Sequence, residues 1–334
     1  MNGKYSLSIE PSFRGCVLIT QNGKTLYEHA SGFADLANER PNTLDTRFPT
    51  ASAGKVLVAV AILQLMEQGR LRLADTISQI LPFDLHAIDP VVTIEQLLTH
   101  TSSIPDYFDE SVMDDYSALW KEFPNYKIRS CKDLLPLFWD KPMLHTPGER
   151  FQYNNAGYVM LGLVVETLTG MPFDAFLSDS VLNPANMRRT GYYELDRLPK
   201  NCANAYLFDE AKSEYYTNIY SVDAKGTGAG GAYTTVEDIE RFWHALFGGT
   251  LLQPDTVARM IQPQSMDETS KYGYGVWLRR RGDGYVPYIQ GCDPGVSFLS
   301  SYDPVASRCI TLVSNYGDNV WKLNRSILER LDNV

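Results

Sequence analysis

In the run Thr50-Ala51-Ser52-Ala53-Gly54-Lys55, a hydroxyl lies three positions ahead of an amine. On a helix this spacing puts both side chains on one face, one turn apart. A serine hydroxyl is a weak nucleophile until a nearby base takes its proton. A lysine held partly out of water can be that base, or can lower the pKa of a group that is. A helix start also turns free N–H groups and the positive end of its dipole toward an anion forming there. The competing structural reading has Ser52 capping the helix and Lys55 snorkelling its amine to water. Residues 56–66 are apolar apart from Gln64, so a lysine in the first turn calls for a polar cleft.

Tyr153-Asn154-Asn155 is a second candidate constellation, and Tyr216-Thr217-Asn218 repeats its Y-x-N pattern. Tyr153 is preferred. It follows the turn Pro147-Gly148 and stands just ahead of a helix, on a loop a cleft can use. A tyrosinate stabilised by Lys55 can take the Ser52 proton and hand it to a leaving group. Asn155 can hold a substrate carbonyl or keep Lys55 oriented. Otherwise Tyr153 is a core tyrosine and Asn155 a helix cap.

These residues must be positioned by the surrounding elements. Two strand-like runs, 16–20 and 25–30, flank Gln21-Asn22-Gly23-Lys24, and Asn-Gly is a strong hairpin signal. Residues 52–68 read as a buried helix, apolar all round. Thr93, with Gln96 three residues on, marks a helix over 93–99. Further helices are expected over 156–170, from 234 or 235 to about 247, and over 321–331. Strands are expected over 274–280, 285–290, 296–302 and 309–314, separated by short turns that imply antiparallel neighbours. Strands at both ends and helices between predict an α+β fold. It has one antiparallel sheet built from both termini, with a mainly helical lobe inserted. The chain reads as a single domain over 1–334, with a sheet lobe of about 1–60 and 225–334 and a helical lobe of about 61–224.

S-x-x-K, a Y-x-N or S-D-N loop, and K-T-G on a strand together mark β-lactamases and penicillin-binding proteins. The chain resembles the branch of this superfamily that holds class C β-lactamases, D-alanyl-D-alanine carboxypeptidases and related esterases. The resemblance runs through TIEQLLTHTSSIPD (93–106), FQYNNAGYVMLG (151–162) and GGAYTTVEDIERF (230–242), in that order. It implies a β-lactamase-like fold and an acyl-enzyme at Ser52, with Lys55 and Tyr153 handling protons. The third motif departs from the pattern. Aligned on Pro294-Gly295, its slot holds Ile289-Gln290-Gly291: the glycine is kept and the cation is absent. In the family that cation helps bind a substrate carboxylate and tunes the proton network. The resemblance also assigns the backbone N–H groups of Cys292 and Ser52 to an oxyanion hole. A register shifted by one would put Gln290 in the cleft.

Of the aromatic residues between 104 and 150, Tyr107 or Phe108, and Trp120, are candidates to line a substrate pocket; otherwise they fill the helical lobe. The 334 residues carry a net charge of -10, which argues against nucleic acid or an anionic membrane as main partner. Gly226-Thr-Gly-Ala-Gly230-Gly231 fits G-x-G-x-x-G, but no apolar strand precedes it and no acid follows at the right distance. No G-x-S-x-G elbow is present. His100 reads as structural, and Arg279-Arg280-Arg281 as a solvated hairpin end. The five scattered cysteines suggest neither a metal site nor a disulfide framework. No cofactor and no transmembrane segment are expected, and the start of the sequence, without a signal pattern, points to the cytoplasm. The functional expectation is a serine hydrolase acting on a small-molecule or peptide ester or amide. The alternative is a catalytically weak or inactive binding or sensor protein on the same fold. With the cation absent, neutral aryl esters should be cleaved more readily than penicillins.

Overall fold

A computed structural model describes residues 9–332. The first eight residues, read above for a targeting signal, lie outside them. The strand β1 (Gly15–Gln21) is buried along nearly its whole length and pairs on both sides. Its Cys16 and Leu18 enter one apolar core, while Val17 and Ile19 enter a second on the opposite face. This split is the period-two alternation of a strand sandwiched between layers. The hairpin to β2 (Lys24–Ser31) turns on Asn22 and Gly23, at φ 51° and 69°. Two successive positive φ values match the right-handed twist of the flanking strands.

The rest of the sheet comes from the C-terminal third: β3 (Ser265–Met266), β4 (Lys271–Tyr272), β5 (Trp277–Arg281), β6 (Gly284–Asp293), β7 (Val296–Asp303) and β8 (Arg308–Ser314). The order is β2-β1-β8-β7-β6-β5-β4-β3, with every neighbouring pair antiparallel. Both chain ends thus meet where β1 lies on β8, from Gly15 opposite Ser314 to Gln21 opposite Arg308. The expected strand over 274–280 is split. Gly273 N–H bonds Val276 C=O, and Tyr274 N–H leaves the sheet for Met260 C=O. Gly275, at φ 75°, lies so near the helix over residues 55–67 that a Cβ would stand 2.3 Å from that of Ala59.

Five helices matter for the site: α1 (Lys55–Glu67), α2 (Ile94–Leu98), α3 (Asn155–Thr169), α4 (Val236–Phe247) and α5 (Val320–Asp332). Helix α1 is buried on all sides from Lys55 to Leu63. Thr93 and Gln96 cap α2 reciprocally. Helix α3 begins one residue before the expected position, because Asn154 takes the cap by accepting from Gly157 N–H at 2.6 Å. The chain enters and leaves the helical part side by side, Phe48 paired with Thr234 and Pro49 with Tyr233. Helix α5 closes the second core on the far face, through Val320, Ile327 and Leu331. Among the described residues, no single helix is long and apolar enough to cross a membrane.

Candidate active site

Ser52 lies in a single tight turn, Ala51–Gly54, at the foot of α1. Ala51 is held in the left-handed region at φ 47°, which costs a residue with a side chain about 1–2 kcal/mol. Three contacts hold it there. Gly231 N–H donates to Ala51 C=O at 3.0 Å, and Thr50 N–H to Ala232 C=O at 2.8 Å. From the sheet, Gly291 presses on the same turn: a Cβ there would stand 2.3 Å from the Thr50 carbonyl oxygen and 2.7 Å from Ser52 N. The missing side chain at 291 lets β6 reach the backbone of Ser52.

Lys55 is 2% exposed. Its Nζ donates to Ser52 Oγ at 2.9 Å, Asn155 Oδ1 at 2.8 Å and the Ala229 carbonyl at 2.6 Å. Burial pulls the Lys55 pKa down to about 8, against the opposing pull of Glu110, Asp106, Asp293 and Asp223. Asn155 is fixed from both ends: its Nδ2 donates to Phe108 C=O at 3.2 Å, and its own N–H donates to Asp106 at 2.6 Å. Asp106 also accepts from Ala156 N–H at 3.1 Å, so one buried carboxylate anchors the start of α3. Burial nonetheless raises Asp106 to about 7.

Tyr153 packs between His100, with centroids 4.4 Å apart, and Trp277, stacked at 5.7 Å. Lys55 Nζ lies 4.9 Å from the centre of its ring. Burial raises the Tyr153 pKa well above the ordinary phenol value; Glu110 adds to the shift, and the Ser52 hydroxyl, as hydrogen-bond partner, opposes it. His100 accepts from Asn154 N–H through Nδ1 at 3.0 Å, and burial holds it neutral.

The site opens into a cavity of about 700 Å³ whose walls include Ser52, Tyr107, Phe108, Asn155, Cys292 and Asp293. That volume suits a small molecule. The structure thus brings together Ser52, Lys55, Tyr153, Asn155, Gly291 and Cys292. Tyr107 lines the cavity and also packs on Phe138 in the core, so both readings of it hold. Trp120 is not a wall residue; it packs on Tyr116. Gln290 is not in the cleft in either register. Its side chain points to the opposite face of the sheet, where it accepts from Trp321 Nε1 at 2.8 Å. Ile289 is 2% exposed, in the core beneath the cavity rather than on its wall. No arginine of the 279–281 run replaces the missing cation at the cavity: Arg279 and Arg280 line a groove on the far face, and Arg281 pairs with Asp303. Tyr216, of the second Y-x-N run, also lines the cavity wall. All five cysteines are free thiols, and Cys292 alone is exposed.

Sequence reasoning missed four participants: the Ala229 carbonyl, Asp106, Asp223 and Asp293. The signal for Ala229 was the glycine density of 226–231, dismissed as a false nucleotide motif. A Cβ at Gly228 would stand 2.1 Å from the Tyr158 carbonyl oxygen, and one at Gly230 would stand 2.3 Å from that of Ala51. These glycines let a loop wedge between α3 and the Ser52 turn and deliver a carbonyl to Lys55.

An antiparallel sheet closed by both chain ends, with helices inserted and a Ser-Lys-Tyr cluster at the seam, defines the penicillin-recognising serine hydrolase class. The chain belongs to the beta-lactamase family, whose model matches residues 12–325. It is 29% identical to penicillin-binding protein 4* of Bacillus subtilis over 312 residues, which cover 88% of this chain and 66% of that protein. The structure of a penicillin binding protein from Bacillus halodurans superposes with a TM-score of 0.91 at 37% identity, covering 95% of this chain and 96% of that one. A D-amino acid amidase from Ochrobactrum anthropi shares the fold, with a TM-score of 0.77 at 22% identity, covering 96% and 94%.

Proposed function

We propose that the protein hydrolyses an ester or amide through an acyl-enzyme on Ser52. The observation that carries this reading is a buried amine, Lys55 Nζ, 2.9 Å from Ser52 Oγ. With its pKa drawn down to about 8, a useful fraction of Lys55 is neutral near pH 7 and can accept the serine proton. Tyr153 is then a neutral phenol rather than a tyrosinate, since burial opposes its ionisation. Oγ attacks the carbonyl carbon and its proton passes to Lys55. The N–H groups of Ser52 and Cys292 face the oxyanion. Tyr153 gives its proton to the leaving group and is reprotonated from Lys55. Water then attacks the acyl-enzyme, and the proton path runs in reverse.

Candidate substrates are a small ester, a D-amino-acid amide or peptide, and a β-lactam. Ile289 in the third motif favours those without a carboxylate to hold. The same absence of a cation favours the second reading, a catalytically weak binding or sensor protein. Stopped-flow hydrolysis of p-nitrophenyl acetate separates the two. A burst stoichiometric with protein, lost in Ser52→Ala, supports the hydrolase; equal slow release by both proteins supports the binder.

A further inference from the structure

The walls of the Ser52 cavity carry acids and no base. Asp223 and Asp293 are half-buried on those walls and Glu110, Asp114 and Asp115 are exposed, while no Lys, Arg or His is among the described residues that line the cavity. The cavity is a ligand site on separate grounds, because it opens on the nucleophile. The acids are therefore part of a substrate wall, not an isolated cluster. We propose that the substrate carries an ammonium group, held by the carboxylates of Asp223 and Asp293 while Ser52 attacks its ester or amide bond. This rests on reading the cavity as the hydrolase's substrate site.

Position and valence support it. Asp293 ends β6, directly after Cys292, so its carboxylate sits beside the proposed oxyanion donors. Among the described residues no donor bonds its side chain. Asp223 accepts one bond, from the Tyr116 hydroxyl at 3.0 Å, which leaves acceptor capacity on its carboxylate. Burial raises Asp223 to about 7 and Asp293 to about 8, and Asp223 adds to the shift at Asp293. Both are half-buried carboxylates short of counter-charge, and Lys55 already makes three hydrogen bonds of its own. A bound ammonium supplies the missing charge with three donors. A bound carboxylate would add a third negative charge to the same wall.

Titration calorimetry at pH 8 with three achiral probes of similar size, benzylamine, benzyl alcohol and phenylacetate, tests the proposal on wild type, Asp223→Asn, Asp293→Asn and the double variant. Benzylamine is expected to bind about tenfold to hundredfold more tightly than benzyl alcohol, and phenylacetate most weakly. The double variant should bring the amine to within about threefold of the alcohol. The ratio of two ligands on one variant cancels any general damage to the cavity. Phenylacetate binding as tightly as benzylamine would overturn the proposal, since the carboxyls would then be acting as protonated donors. So would an amine-to-alcohol ratio unchanged in the double variant. Calorimetry does not depend on turnover, so these failures stay distinct from failure of the ester burst, which would count against hydrolysis itself.

Discussion

Lys55 answers two opposed demands: burial expels its charge, while three acceptors and four nearby acids call for it. The balance leaves a pKa of about 8, and the sign of the pH dependence follows. The proposed base is the neutral amine, which forms as pH rises through the folded-state pKa. kcat/KM for a neutral ester should therefore climb about tenfold per unit below pH 8 and flatten above it. A profile flat from pH 6 to 9 would remove Lys55 as the base. At Tyr153 the ring is held by His100 and Trp277, so Tyr153→Phe should keep its packing and lose only the hydroxyl. kcat should fall by about 10²–10⁴ with KM little changed. Ser52 and Lys55 were legible as a pair because a spacing of three residues is local geometry, and Tyr153 was legible from its place on the loop between Pro147-Gly148 and a helix. The Ala229 carbonyl and the Asp106, Asp223 and Asp293 carboxylates were not legible. Backbone acceptors carry no side-chain signature, and an acid in a loop looks the same whether it faces water or a cavity.

Among the elements, the contact of β6 with the Ser52 turn is the most sensitive joint. Gly291→Ala would put a methyl against the Thr50 carbonyl and Ser52 N. We expect a loss of about 10²–10³ in kcat, as for removal of an oxyanion donor, with a stability loss of about 1–3 kcal/mol. Paired ester kinetics and thermal melts read both. A Gly291→Ala enzyme with near-normal kcat would show that β6 does not set the position of the Ser52 turn. Helices with caps or continuous apolar runs were read to within a residue or so, except that the expected helix over 52–68 opens with the separate tight turn Ala51–Gly54 and α1 starts at Lys55; the other errors fell where tertiary contact decides. The strand over 274–280 broke because Gly275 must pass Ala59. Asn154, not Asn155, took the cap, which leaves Asn155 to orient Lys55. Gln290 turned away because strand alternation gives its neighbours Ile289 and Gly291 to the α1 face, a parity that motif alignment alone left open.

For the whole molecule, the two-ended sheet was visible in the distribution of strand signals, but its lock to the inserted part was not. Asn315, just after β8, is fully buried. Its Nδ2 donates to Phe33 C=O at 3.0 Å and Asn204 C=O at 2.8 Å, and its Oδ1 accepts from Asn42 at 3.0 Å. One side chain thus ties the C-terminal sheet to segments near residues 33–42 and 204. Asn315→Ala strands these partners and should cost on the order of 3 kcal/mol, seen as a fall in Tm of roughly 4 °C for a chain of 334 residues. An unchanged Tm would show that water or neighbouring groups replace the lock.

The central claim, that Ser52 is a nucleophile activated by Lys55, is tested most directly by covalent labelling. The protein is treated with a fluorophosphonate at pH 8, digested and mapped by mass spectrometry, beside Ser52→Ala and Lys55→Ala. The account predicts one adduct, on Ser52, absent from the first variant and formed at least about 10²-fold more slowly in the second. An unmodified Ser52 in folded wild-type protein, or equal labelling of the Lys55→Ala variant, would contradict it.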